Sequence, residues 1–122
     1  NTHPLFALID SELSESLIEE HEAVLPAYAQ SASIKLLFQR LQGTATATDR
    51  EGIAFLILTG HYIGYLPTHF AERWILQGTL RSLLPKQLNF KTPIAAISRK
   101  GAASNLVLNC YLQQLENTDI PV

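Results

Sequence analysis

The sequence is poor in several features that would mark a particular class of protein. It has one cysteine, Cys110, so no disulfide can form within the chain. Nine basic residues stand against eleven acidic ones, the formal net charge is −2, and the basic residues are scattered. A surface that binds nucleic acid phosphates normally carries a cluster of Lys and Arg. These residues therefore predict no DNA contact by this part of the protein.

Long apolar runs and methionine are also lacking. The longest apolar stretch, Ile53 to Leu58, is far shorter than the roughly 20 residues that a membrane-spanning helix needs. The chain contains no Met and begins with Asn1, so we expect it to be a piece of a longer protein. With 122 residues and 47% hydrophobic content, it is long enough for one compact domain with its own core.

The stretch from residue 44 to 67 predicts a strand, a helix and a second strand. Thr44 to Thr48 alternate threonine with alanine, which suits a pleated strand, and Thr48 and Asp49 can cap the helix that follows. Gly60 can close that helix in the left-handed conformation before a strand at residues 62–66. We expect the two strands to be parallel neighbours joined by a right-handed crossover.

The same order of elements recurs along the chain. Glycines stand between a predicted helix and a predicted strand, while Ser or Thr residues stand between a strand and a helix. The helix-ending glycines are Gly43, Gly60 and Gly78, and the capping residues are Ser33, Thr48 or Asp49, and Thr68. This repetition predicts an open α/β sheet with helices on both faces.

The remaining elements are predicted from apolar spacing. A helix opens at Ser11 or Ser14, and the apolar run at residues 23–29 is a strand that Pro26 places near an edge or at a bulge. Further strands are expected at residues 79–84 and 93–98. The last helix follows Ser104, with a buried stripe formed by Leu108, Tyr111, Leu112 and Leu115.

Several segments together resemble the effector-binding domain of LysR-type transcriptional regulators. The resemblance is carried by the Thr-Ala-Thr-Asp turn at residues 46–49, the apolar helix after it, and the Ile-Gly-Tyr-Leu-Pro segment at residues 63–67. It continues at residues 3–6, 80–85 and 93–100 in matching order. It implies a doubly wound sheet of the type II periplasmic-binding-protein kind, present as one lobe plus the terminal helix of the other.

The resemblance also implies a division of the chain and a role. Residues 1–98 would be the second lobe, and residues 99–122 the crossover and terminal helix that belong to the first lobe. The N-terminal winged helix-turn-helix and most of the first lobe would lie outside this sequence. The whole protein would be a cytoplasmic bacterial transcription factor that binds a small molecule between its lobes.

Candidate ligand contacts lie where the predicted strands end, since ligands of open α/β sheets bind at the carboxyl ends of strands. Hydroxyls and free N–H groups at such an edge suit a small carboxylate or another oxyanion. The residues concerned are Gln30, Ser31, Ser33, Thr46, Thr48 and Pro67. Helix capping alone also explains such Ser and Thr residues. The resemblance favours Thr46 and Thr48 as ligand contacts, and matches residues 30–33 to a second segment that lines the cleft.

The sequence predicts no catalytic residue, no metal site and no cofactor. The four histidines lack the spacing of metal ligands, and Cys110 on the flank of a helix is typical of packing. Neither a Gly-x-Ser-x-Gly elbow nor a glycine-rich phosphate loop is present.

Two surfaces and two alternative functions stay open. The helix at residues 70–77, with Trp74, and the strand at residues 79–84 are candidates for dimer contacts by the same resemblance; Trp74 as ordinary core is the other interpretation. A periplasmic solute-binding protein has the same two-lobed fold. A small α/β enzyme is a third possibility, and it would use Asp49 at a strand end.

Overall fold

The computed structural model describes residues 2–101 and 104–118. Two compact units divide between Phe90 and Lys91. The described helices and strands are 3-10 helices Pro4–Phe6 and Asp10–Glu12, α1 Glu15–Glu19, β1 Glu22–Pro26, α2 Ala32–Gln39, β2 Gln42–Ala47, α3 Arg50–Leu58, α4 Thr68–Leu76 and α5 Leu106–Glu116. The chain is therefore α/β. None of the helices within these ranges is long and apolar enough to span a membrane.

The sheet is small and parallel, and β1 lies at its centre. β1 pairs with β2 on one side, and Ala23 forms an isolated parallel bridge to Ile63 on the other. The Val24 N–H donates to the Ile63 carbonyl at 2.9 Å, and the Ile63 N–H donates to the Glu22 carbonyl at 3.0 Å. One prediction is therefore wrong: residues 62–66 neighbour β1 and not β2.

Pro26 explains why the predicted strand at residues 62–66 forms only the single β-bridge between Ile63 and Ala23. Backbone N–H groups two residues apart in a strand point to the same side. The N–H of Val24 points to Ile63, so the nitrogen of Pro26 faces the same side but carries no hydrogen to donate. The ladder cannot continue there, although the chain keeps its parallel direction beside β1.

A register shift between Ala23 and Val24 puts a bulge in β2. Ala23 pairs with Gly43 and Val24 pairs with Ala45, which leaves Thr44 as the extra residue. Gly43 lies within β2 and does not end a helix as predicted. A Cβ atom there would lie 2.3 Å from Leu25 Cδ1, so the Leu25 side chain packs into the space that glycine leaves open.

Helix α3 forms as its sequence predicts. The Asp49 carboxylate caps it by accepting the Gly52 N–H at 2.7 Å, and Gly60 follows it with a φ of 79°. Ile53 and Ala54 are buried against the sheet, whereas Phe55 is 65% exposed. From Ile53 to Leu58 the helix is apolar all round, yet within the described residues only part of this surface is covered.

Replacing the α3 cap is expected to loosen the helix. Asp49→Ala removes the acceptor for the Gly52 N–H and should lower local stability by about 1 kcal/mol. Hydrogen exchange in the full-length protein should then show faster exchange of the α3 amides by roughly fivefold. Thr48→Ala, one residue earlier and exposed, is the matched control and should leave these amides unchanged. Equal acceleration in both variants would contradict the cap assignment.

The other predicted caps need correction. Helix α1 is capped by Ser14, whose Oγ accepts the Leu17 N–H at 3.1 Å, as predicted. Ser33 and Thr68 are not caps: they lie inside the first turns of α2 and α4, whose N-cap residues are Ser31 and Pro67. Helix α4 ends just before Gly78, as its sequence predicts.

The strands predicted at residues 79–84 and 93–98 are absent from the described structure. The N–H groups of Thr79 and Leu80 both donate to the Trp74 carbonyl, which wraps this segment around the end of α4. Leu84 has a φ of 44°, which is incompatible with a strand. Residues 93–98 are exposed throughout and pair with no strand in the described ranges.

The core of the first unit joins the start of the chain to the sheet. Leu5 is 2% exposed and packs in one cluster with Leu13, Ile18, Ala23 and Ile63. Arg81 holds the same region from outside through its guanidinium, which donates to the carbonyls of Phe6 and Leu8 and pairs with the Asp10 carboxylate. Residues 5–10 are thus anchored by apolar burial and by one arginine.

The second unit contains α5, capped by Asn105, whose Oδ1 accepts the Leu108 N–H at 3.0 Å. The predicted buried stripe is wrong: Tyr111 is 61% exposed and Leu115 is 38% exposed, while Leu108 and Leu112 are half-buried. Helical spacing places these side chains on one face, but burial needs a second element to cover that face. The described residues of this unit supply none.

Candidate functional site

The sheet topology brings the six predicted ligand contacts to one edge. β1 and β2 run parallel and end together, with Pro26 opposite Ala47. The residues after both strands therefore lie at the same edge of the sheet. The segment that follows Ile63 runs parallel to β1 and reaches Pro67 at this edge as well. We call this set of residues, 30–33, 46–48 and 67, the strand-end edge.

Gln30, Ser31 and Ser33 form the part of the strand-end edge next to α2. Gln30 is half-buried, and the two serines are exposed. Ser31 Oγ and Ser33 Oγ lie 3.1 Å apart and share a hydrogen bond. Neither hydroxyl is held by a strong acceptor, so both can turn toward a ligand.

Thr46, Thr48 and Pro67 occupy the rest of the edge. Thr46 lies opposite Leu25 in the β-ladder and is exposed, since the alternating alanines of β2 face inward. Thr48 is exposed in the turn before α3. Pro67 is half-buried, and its carbonyl accepts the first N–H groups of α4 from Phe70 and Ala71. Among the side chains of these six residues, the hydrogen bond that the structure shows is the one between Ser31 and Ser33.

Three helices begin at this edge, and their N-termini differ in charge. Helix α3 carries Asp49 as its cap and Glu51 in its first turn, so its positive end is already neutralised. Helices α2 and α4 have no acidic residue in the first turn, and no side chain caps either of them. An anion at this edge is therefore favoured beside α2 and α4, and disfavoured beside α3.

A groove opens beside the strand-end edge. Its volume is about 250 Å³. It is lined by β1, by the turn after it and by α2, through Leu25, Pro26, Tyr28, Gln30, Lys35, Phe38 and Gln39. Of the predicted contacts, only Gln30 lines it. Sequence reasoning did not single out Tyr28 or Lys35. One signal in the sequence could have indicated them: Lys35 is the one charged residue of α2, and Tyr28 lies in the turn before this helix.

The titratable groups that the fold perturbs lie elsewhere. Burial is the main cause that lowers the pKa of His3 below its ordinary value of 6.5, and the nearby His21 and His61 lower it further. Because the folded state favours neutral His3, this group costs stability as the pH falls below 6.5. Burial raises the pKa of Tyr65. No group of three or more His, Cys, Asp or Glu side chains within residues 2–101 and 104–118 could hold a metal ion.

Comparison with known proteins identifies the family. The model of the LysR substrate binding domain matches residues 3–119. The chain belongs to this family. This match confirms the resemblance to LysR-type regulators that was described from the sequence. The parallel α/β arrangement of the structure agrees with it.

A curated relative of this LysR-family chain is the HTH-type transcriptional activator BauR of Pseudomonas aeruginosa. The two are 41% identical over 111 residues, which cover 91% of this chain and 36% of BauR. The chain therefore spans about a third of the length of the curated relative that it matches. No solved structure matches it.

Proposed function

We propose that this chain is the effector-sensing and oligomerisation part of a bacterial LysR-type transcription regulator. A small molecule that carries an oxyanion binds at the strand-end edge, between the two lobes of the full effector-binding domain. Binding favours one arrangement of the lobes and so changes transcription, which requires that the effector prefers that arrangement. The observation that carries this proposal is the family match over nearly the whole chain.

The geometry of the edge supports an anionic effector. Gln30, Ser31 and Ser33 offer an amide and two hydroxyls next to the uncapped start of α2, and Pro67 precedes the uncapped start of α4. Thr46 and Thr48 add hydroxyls on the side of β2. Asp49 and Glu51 make the α3 side less favourable for a negative charge. We therefore place the oxyanion beside α2.

The domain division belongs to the same proposal. Residues 1–98 form one lobe of a type II periplasmic-binding-protein fold, and residues 99–122 contribute the terminal helix of the other lobe. An N-terminal helix-turn-helix outside this sequence contacts DNA, in line with the description of BauR as an HTH-type activator. The protein acts in the cytoplasm and has no catalytic role. Membership of a regulator family supports these points and argues against the solute-binding and enzyme alternatives.

Self-association as a dimer uses the surface of α4 in this proposal. Arg73 lies 3.9 Å from the centre of the Trp74 ring and 5.0 Å from that of Phe70, and Leu76 beside them is 81% exposed. Trp74 itself is half-buried. Aromatic residues and Arg are enriched at protein interfaces, so this exposed cluster supports the dimer role.

The effector site can be tested with serine variants of the full-length protein. Mono-, di- and tricarboxylates from acetate to citrate are titrated calorimetrically, and operator binding is followed in parallel. Ser31→Ala combined with Ser33→Ala should weaken binding of the active carboxylate roughly thirtyfold, since each of the two lost hydrogen bonds contributes about 1 kcal/mol.

The matched control is Ser16→Ala. Ser16 is exposed in α1, which leads into the opposite end of β1. This variant should bind the same carboxylate with unchanged affinity. Unchanged affinity in the double variant would place the effector elsewhere, and a protein whose operator binding responds to no small molecule would contradict the proposed function.

A further inference from the structure

The groove beside α2 combines an apolar wall with one positive charge. Leu25, Pro26 and Phe38 supply apolar surface, with Phe38 only 9% exposed and therefore fixed in place. Tyr28 adds an aromatic ring that is 45% exposed. Lys35 is the one charged residue among the lining side chains. A ligand that matches this lining has an apolar body and a single negative charge.

Lys35 is available to such a ligand. The ion pairs within residues 2–101 and 104–118 are made by Arg40 and Arg81, and none involves Lys35. Its side chain is exposed at the groove, so its long stem can cover apolar surface while the ammonium group stays at the opening. The amides of Gln30 and Gln39 line the same space and can donate to a second oxygen.

The size and charge of the groove restrict the class of ligand. A volume of about 250 Å³ equals the share of roughly eight water molecules in the liquid. A phosphate monoester carries more than one negative charge, and its excess charge would lie against apolar surface without a partner. A monocarboxylate leaves no unmatched charge. Its body can be a ring or a short alkyl chain, because the wall is apolar and partly aromatic.

We infer that this groove selects the effector by taking a small monocarboxylate with an aromatic or aliphatic body, whose carboxylate pairs with Lys35. The inference rests on the proposed function and names the chemical class of its ligand. Gln30 belongs to both the groove and the strand-end edge, so the groove lies next to the start of α2, where Ser31 is the N-cap residue.

The test uses calorimetric titration of the full-length protein with benzoate, hexanoate, acetate and benzamide. Benzoate and hexanoate should bind at least tenfold more tightly than acetate, which lacks the body. Benzoate should also bind at least tenfold more tightly than benzamide, which lacks the charge. Lys35→Met should weaken benzoate binding about tenfold and leave benzamide unchanged, whereas Lys35→Arg should stay within about threefold of the wild type.

Lys86→Met is the matched control, because Lys86 is an exposed lysine in the same unit and does not line the groove. It should bind benzoate as the wild type does. Equal benzoate affinity in Lys35→Met and wild type overturns the inference, and so does an acetate affinity equal to that of benzoate. Amine labelling of the ligand-free protein gives a second check. If Lys35 is protected from the reagent, another part of the protein fills the groove, and this result also overturns the inference.

The outcomes separate this inference from the proposed function. If a carboxylate binds and depends on Ser31 and Ser33 but not on Lys35, the groove assignment fails and the effector-sensing role stands. If no tested small molecule binds or alters operator occupancy, both fail.

Discussion

Leu5→Ala is expected to lower the free energy of unfolding by about 2–5 kcal/mol. Leu5 is 2% exposed and contributes to the same core cluster as Ala23 of the central strand and Ile63 of the bridge beside it. Truncation removes apolar contacts and leaves a cavity that the short 3-10 helix around Leu5 cannot close without pulling Phe6 and Leu8 away from Arg81. Urea denaturation of the full-length protein, followed by near-UV circular dichroism, measures the loss.

Leu36→Ala is the matched control for this core substitution. It removes the same atoms from a leucine that is 64% exposed on α2, and it should change the unfolding free energy by less than about 0.5 kcal/mol. A loss at Leu5 as small as the one expected at Leu36 would mean that the start of the chain is not part of the core. The control also reports on the rest of the protein, because a large loss at Leu36 would indicate that another element covers it.

Arg81→Met is expected to cost about 1.5–3 kcal/mol, the range for hydrogen bonds made by a charged group. The Arg81 side chain is 24% exposed, and its guanidinium donates to two backbone carbonyls and one carboxylate in the segment from Phe6 to Asp10. Methionine keeps most of the apolar stem but leaves both carbonyls without this donor. Hydrogen exchange should show faster opening of residues 5–13 than in the wild type.

Two further variants separate the contacts of Arg81. Arg81→Lys keeps the charge but loses the planar fork that reaches several acceptors at once, so it should recover less than half of the loss. Asp10→Asn removes only the ion pair, whose carboxylate is 75% exposed, and should cost no more than about 1 kcal/mol. A loss in Asp10→Asn as large as that in Arg81→Met would mean that the ion pair, and not the carbonyl contacts, holds the segment.

Local signals in the sequence predicted the parts of the fold that depend on neighbouring residues. The cap of α3 by Asp49, the cap of α1 by Ser14 and the left-handed Gly60 were all predicted, because each needs only residues within one helical turn. Gly43 was misread because a glycine after a helix resembles a terminator. Its actual role is close contact with Leu25 on the other strand, which sequence spacing cannot reveal.

Strand pairing was harder to predict, because it depends on residues far apart in the chain. The order of the sheet, with β1 between β2 and Ile63, follows from hydrogen bonds that link residues separated by about 20 and 40 positions. The segment at residues 79–84 has the composition of a strand, but its backbone bonds to the end of α4. An apolar run becomes a strand only where a partner strand is available.

The candidate site was predicted in position but not in full composition. The rule that ligands bind at strand ends led to Gln30, Ser31, Ser33, Thr46, Thr48 and Pro67, and the topology brings these residues to one edge. Their part in effector binding stays a prediction. The groove with Lys35 and Tyr28 was not predicted, because a cavity arises where α2, β1 and the turn after β1 come together and has no sequence motif.

The bulge at Thr44 affects how readily β2 can pair with a strand from another molecule. β2 has a paired neighbour on one side, and an exposed strand edge can recruit a strand from another molecule and start aggregation. The extra residue at Thr44 interrupts the regular row of donors and acceptors and twists the strand locally. A bulged strand is a poorer template for edge-to-edge association than a regular one, and β2 carries such a bulge.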